Sequence, residues 1–169
     1  MIKTFMMITT TILALFVSIG LMLSNEYLIK RSITVNAPAA KVHALVADLT
    51  QWSQWSPWSA AGVETTIKQA KGVGASQTWK SNQGNGHLYI TRCDQNKGMV
   101  YELIVGDAKH KTEGGFEYVT QGDKTLVSWY MKGVIDTFVV GGYVAFLTEF
   151  MSADMLDSGL EKIKVLAEK

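Results

Sequence analysis

The sequence predicts an α+β fold: a curved antiparallel sheet wrapped around a long C-terminal helix, preceded by an N-terminal transmembrane helix. Three observations carry this. Thr4–Leu23 is a run of 20 residues without a charge. Short apolar stretches from Val63 to Ile135 follow one another directly, separated by glycine turns, as in an antiparallel meander. After Phe146 the apolar residues recur at helical spacing to the C-terminus.

Length and composition agree. The 169 residues allow one domain plus an appendage, and 47% hydrophobic with 18% charged residues excludes a disordered chain. Lys+Arg is 16 and Asp+Glu is 15, so there is no basic excess and nucleic acid is not an expected partner. A single cysteine, Cys93, excludes an internal disulfide and a multi-cysteine metal site.

Each element follows in order. Thr4–Leu23 spans about 30 Å as a helix, the thickness of a bilayer's hydrocarbon core. It reads as a membrane anchor. The competing reading is a cleaved signal peptide, with Ser18 and Gly20 small enough for the cleavage positions. Residues 1–25 are therefore the anchor or signal segment and residues 26–169 the folded domain. A strand starts at Tyr27 and runs to Val35. Asn36 and Pro38 open a short helix carrying Val42, Leu45, Val46 and Leu49 on one face. Trp52, Trp55 and Trp58 recur every three residues before Pro57 and Gly62 break the pattern. Strands are expected at 63–70, 75–82, 87–94, 99–106, 113–120 and 125–135, with turns that include Gly72–Gly74 and Gln83–Gly86. In the final helix, Phe146, Phe150, Leu156, Leu160, Ile163 and Ala167 form the apolar stripe.

Several of these stretches resemble a known superfamily. They are Arg31–Pro38, the Leu45-Val46-Ala47-Asp48 segment leading into Trp52 and Trp55-Ser56-Pro57-Trp58, Gly72-Val73-Gly74 before Trp79, Thr125–Trp129, and Gly159–Lys164. Together they are similar to the SRPBCC (START/birch-pollen-allergen-like) superfamily. The nearest subgroup is the membrane-anchored bacterial polyketide cyclase/dehydrase type. The resemblance implies a helix-grip fold around a hydrophobic cavity, and members that bind lipids, polyketides or other apolar molecules.

Strand alternation, read independently, assigns the residues that face the helix. The inner set is Trp79, Leu88, Ile90, Tyr101, Leu103, Phe116, Tyr118, Val127, Trp129 and Met131, joined by Trp58 at the mouth and Phe150 from the helix. This lining is apolar with two hydroxyls and suits a ligand pocket. The same residues would serve equally as a filled core. Trp52, Trp55 and Trp58 either line the mouth or lock a short helix onto the sheet. His43, His87 and His110 show no metal-ligand spacing, and Glu102 and Glu117 face outward. No catalytic, metal or cofactor residue is assigned.

The expected function is binding of a hydrophobic small molecule or lipid in that cavity. Alternatives are a cyclase- or dehydratase-type enzyme using the same cavity, for instance through Tyr101 with Tyr118 or Tyr89 with Arg92, and an interaction module with a vestigial cavity. The membrane is the second expected partner, through the N-terminal helix. The short N-terminal tail favours a signal anchor, which sets the domain on the outer, periplasmic face of a bacterial inner membrane.

Overall fold

A computed structural model of the chain describes residues 1–59, 63–80, 84–106 and 111–169. Helix α1 (Ile2–Met22) is long and apolar enough to cross a membrane, with a mean hydropathy of 2.2, a composition that signal sequences share. Only Leu23, Ser24 and Asn25 separate it from strand β1 (Glu26–Val35). Helix α2 (Ala39–Val46), a 3-10 turn (Leu49–Gln51) and the single turn α3 (Trp52–Trp55) follow. Six strands come next: β2 (Glu64–Gln69), β3 (Ser76–Lys80), β4 (Gly86–Asp94), β5 (Gly98–Val105), β6 (Lys111–Gln121) and β7 (Lys124–Val134). Helix α4 (Gly141–Ala167) ends the chain.

The seven strands form one antiparallel sheet in the order β1-β7-β6-β5-β4-β3-β2. Consecutive strands are neighbours from β2 to β7, as tight turns dictate, and β1 closes onto β7 with Glu26 opposite Val134 and Val35 opposite Thr125. This is the helix-grip arrangement expected from the sequence. Since β1 starts where α1 ends, antiparallel pairing gathers several strand ends at that same edge. The ends of β3, β5 and β7 lie there, with the starts of β2, β4 and β6.

Alternation fixes the two faces. Val127, Trp129 and Met131 point inward with Tyr101, Leu103, Phe116, Leu88 and Ile90, all buried. The outward face carries most of the polar contacts: Tyr89 donates to Glu102, Lys111 pairs with Glu102 at 3.1 Å, Lys132 with Glu113 at 3.0 Å, and Lys30 with Glu117 at 2.6 Å. Leu88 faces in, leaving His87 and Tyr89 on the outer face. Glycine at 114 lets the Tyr101 ring lie flat across β6, because a Cβ there would overlap that ring.

Helix α4 packs mainly along β1, and its carboxylates satisfy that strand's free edge. Glu149 accepts from the Leu28 N–H (2.9 Å), Glu168 accepts from the Asn36 N–H (2.7 Å), and Asp157 pairs with Arg31 (3.2 Å). Two expectations are corrected here. The Asn36 amide does not cap α2 but also donates to Glu168 at 3.0 Å; Pro38 stands at the cap position. Leu156, Leu160, Ile163 and Ala167 are buried as expected, whereas Phe146 and Phe150 are 63% and 76% exposed. The cause is the six-residue step from Phe150 to Leu156. Six residues turn a helix by about 600°, which leaves Phe150 roughly 120° off the buried stripe.

Candidate functional site

The inward side chains of β5, β6 and β7 meet the tryptophans of the α2–α3 segment beneath α4. Trp129 is the hub. Its ring stacks on Phe116 (centroids 5.0 Å apart) and receives Trp55 and Trp58 edge-on, each at 5.6 Å. Its indole N–H donates to the Tyr101 hydroxyl at 2.9 Å, and Trp52 meets the Tyr101 ring edge-on at 5.6 Å. Local structure explains how two further indoles enter the core. The last carbonyls of a helix lack intrahelical partners. The Trp52 and Trp55 N–H groups donate to the Val46 and Leu45 carbonyls at the end of α2, at 2.8 and 3.0 Å.

The interior is therefore occupied. Trp55, Tyr101 and Trp129 have no exposed surface, and Phe116, Leu88 and Ile90 retain 1% each. Of the two sequence readings of this lining, the structure has the filled core, with Trp52 and Trp55 in the volume between sheet and helix.

Of the residues assigned to the site, Trp129, Tyr101, Phe116, Leu88, Ile90, Leu103, Met131 and Tyr118 are brought together in the buried core. Trp58 and Trp79 are half-buried and pack with Ile67 against its margin. Among the described residues, strand β2 is largely exposed and β3 only partly buried. Phe150 does not reach the cluster. It lies in an open groove of about 430 Å³ lined by Leu28, Ile29, Arg31, Phe146, Glu149 and Ala153, among others.

A polar group at the opposite end of the strands was not legible in the sequence. His43 of α2 lies 3.4 Å from the Cys93 sulfur through Nε2 and 3.5 Å from the Tyr118 hydroxyl through Nδ1. The partners are 50 and 75 residues away along the chain. Burial pushes the Cys93 thiol and the Tyr118 hydroxyl up, and pushes His43 down against the opposing effect of Asp94. An activated thiolate requires the reverse shift of the thiol. The cluster reads as polar groups satisfying one another. Tyr101 bonds Trp129 and Tyr118 meets His43, so those two tyrosines share no hydrogen bond. Tyr89 is engaged by Glu102 rather than Arg92. His110 lies outside the described residues, as do positions 81–82 of the expected strand and Gln83 of the expected turn.

Backbone and charge contacts at Asp48 and Leu49 also tie the tryptophan segment to the chain just after β2. Asp48 accepts from the Thr50 N–H (3.0 Å) and hydroxyl (2.6 Å) and pairs with Lys71 at 3.1 Å, while the Leu49 N–H donates to the Ala70 carbonyl at 2.9 Å. Burial alone would raise the Asp48 pKa. The Thr50 hydrogen bonds and the Lys71 ammonium outweigh it and hold the carboxyl below its usual range. A depressed folded-state pKa contributes stability above the unfolded value, lost as pH falls through the folded one. Asp48→Asn keeps an acceptor for the Thr50 N–H but loses the charge facing Lys71, and is expected to cost about 0.2–1 kcal/mol at pH 7. The difference from wild type should shrink below roughly pH 4. Thermal unfolding across pH 3–7 checks this; a difference independent of pH would show that the charge contributes nothing.

Comparison with known proteins bears on the whole domain. Residues 28–168 match the profile of a family described as polyketide cyclase / dehydrase and lipid transport. No curated protein matches the sequence. Among solved structures, norcoclaurine synthase from Thalictrum flavum, in complex with dopamine and hydroxybenzaldehyde, superposes with a TM-score of 0.65 at 14% identity, covering 83% of this chain and 86% of that one. A protein from Thermobifida fusca gives 0.63 at 22% identity, covering 81% and 90%. A protein from Chromobacterium violaceum gives 0.64 at 12%, covering 84% and 97%. At these identities the likeness is one of fold.

Proposed function

This chain belongs to the polyketide cyclase / dehydrase and lipid transport family, and from that premise we propose that it binds a hydrophobic small molecule or lipid between the sheet and α4. The observation that carries the reading is that Trp58, Ile67 and Trp79 pack against the aromatic core yet stay only partly buried among the described residues. A ligand enters there and takes volume from the α2–α3 tryptophans, whose segment is tied to the sheet through Asp48 and the Leu49 N–H. The lining then offers ring faces and the Tyr101 hydroxyl, suited to an apolar chain or ring with one polar group. The fold neighbour that holds dopamine and hydroxybenzaldehyde supports the view that this architecture admits such guests.

Residues 1–25 anchor the protein in the membrane in this reading, with residues 26–169 on the outer, periplasmic face of a bacterial inner membrane. The docking of α1 against α4, where the Tyr143 hydroxyl donates to the Phe16 carbonyl at 2.8 Å, supports an anchor that stays attached. Carbonate extraction should leave the chain in the membrane pellet; a mature chain beginning near Leu21 would overturn the anchor.

The test of binding is a titration of the detergent-purified full chain with fatty acids and isoprenoid alcohols, read by tryptophan fluorescence. A saturable change is expected for at least one of them. Trp79→Ala should weaken that binding by roughly tenfold, the equivalent of about 1.4 kcal/mol. No saturable change with any ligand would overturn the reading. It would leave a second one, an interaction module with a vestigial cavity, which the filled interior favours.

A further inference from the structure

Helix α4 changes construction halfway along its length. From Leu156 onward it is an ordinary surface helix: Leu156, Leu160 and Ile163 face the sheet, while Glu161 and Lys162 face solvent. From Gly141 to Met151 the order is inverted. The buried positions are Gly141, Gly142 and Ala145, followed by Ala153, and the large apolar side chains point outward. Phe146, Leu147, Phe150 and Met151 are 63%, 53%, 76% and 73% exposed. Phe138, in the preceding link, is also exposed. Between Val134 and Met151 the only charged residues are Asp136 and Glu149, and Glu149 is engaged by the Leu28 N–H.

Small residues at the helix contact with large apolar ones outside is the pattern of helices packed in lipid, where water does not drive burial. The contact with α1 follows it. A Cβ on Gly142 would collide with Leu23, and one on Gly20 would sit 2.9 Å from the Tyr143 ring. The Phe16 and Tyr143 rings stack at 4.7 Å. The exposed face thus continues the apolar surface of α1 at the strand edge nearest the membrane.

We infer that the N-terminal half of α4 is a second membrane-contacting element, its Phe146–Met151 face seated in the lipid of the leaflet from which α1 emerges. The inference rests on the anchor reading of α1 and adds a lipid-facing surface to the folded domain itself. It also sets the margin beside Trp79, at the same end of the strands, toward the bilayer.

The test uses the full chain with Cys93→Ser, reconstituted in phosphatidylcholine vesicles. A bimane label is attached at one of Ile12→Cys, Phe146→Cys, Phe150→Cys or Lys162→Cys, all exposed positions. Quenching is measured with nitroxide-bearing lipids and with aqueous iodide. The expected result is a blue-shifted emission at 146 and 150, lost to lipid nitroxide as at position 12, with position 162 quenched only by iodide. Quenching at 12 without quenching at 146 or 150 would overturn the inference and leave the anchor standing. Labels at 146 and 150 shielded from both quenchers would also overturn it, placing a second protein copy on that face. Lipid quenching at 146 and 150 without any at 12 would keep the surface and remove the anchor.

Discussion

Trp129→Ala should lower the stability of the folded domain by about 3–5 kcal/mol, the range for truncating a fully buried aromatic residue. For a domain of this size that corresponds to roughly 6–20 °C in melting temperature. Two effects add. The first is the void left between Phe116, Trp55 and Trp58, whose rings contact Trp129 at centroid distances of 5.0 to 5.6 Å. The second is the loss of the indole donor to the Tyr101 hydroxyl, which is fully buried. Trp129→Phe keeps part of the ring contact and should cost less. An apolar void of this kind stays dry and takes small apolar guests. Indole should therefore raise the melting temperature of Trp129→Ala by more than it raises that of wild type. A melting temperature within error of wild type would show that Trp129 is not the hub of the core.

The same residue shows what the sequence carries and what it withholds. That Trp129 points inward with Val127 and Met131 follows from period-two alternation, and its partners Tyr101 and Phe116 follow the same way. The turns were legible because glycines stand between apolar runs, and the order of strands because each turn is too short to skip a neighbour. What alternation cannot supply is volume. Whether Trp52 and Trp55 rim a cavity or fill it depends on where a single helical turn lands, and that is set by hydrogen bonds to the Leu45 and Val46 carbonyls. The His43, Cys93 and Tyr118 group was hidden for a related reason, since only the folded sheet joins residues that far apart. The six-residue step after Phe150 changes the helix face by about 120°, so the apolar residues on its two sides do not form one stripe.

Gly159→Leu should destabilise the domain by overpacking, the opposite fault to the void left by Trp129→Ala. Gly159 sits inside α4, where glycine is less favourable than alanine by about 0.8–1.0 kcal/mol. Helical propensity alone therefore favours replacing it. The packing opposes this. A Cβ at Gly159 would lie 2.6 Å from Cζ3 of Trp129 and 3.5 Å from Cδ of Pro57. The Trp129 ring cannot yield, because Phe116, Trp55 and Trp58 close it in on three sides. A leucine adds three more carbons in the same direction, so α4 must lift and expose part of Leu156, Leu160 and Ile163. The net loss expected is about 1–3 kcal/mol, the usual cost of overpacking. Gly159→Ala separates the two effects: a smaller loss than leucine marks the clash as steric and graded with size. Lys162→Ala, on the exposed face of the same helix, should stay within about 0.5 kcal/mol of wild type. If Gly159→Leu melts at or above the wild-type temperature, α4 does not rest on Trp129, and the helix and the aromatic cluster are separate supports of the fold.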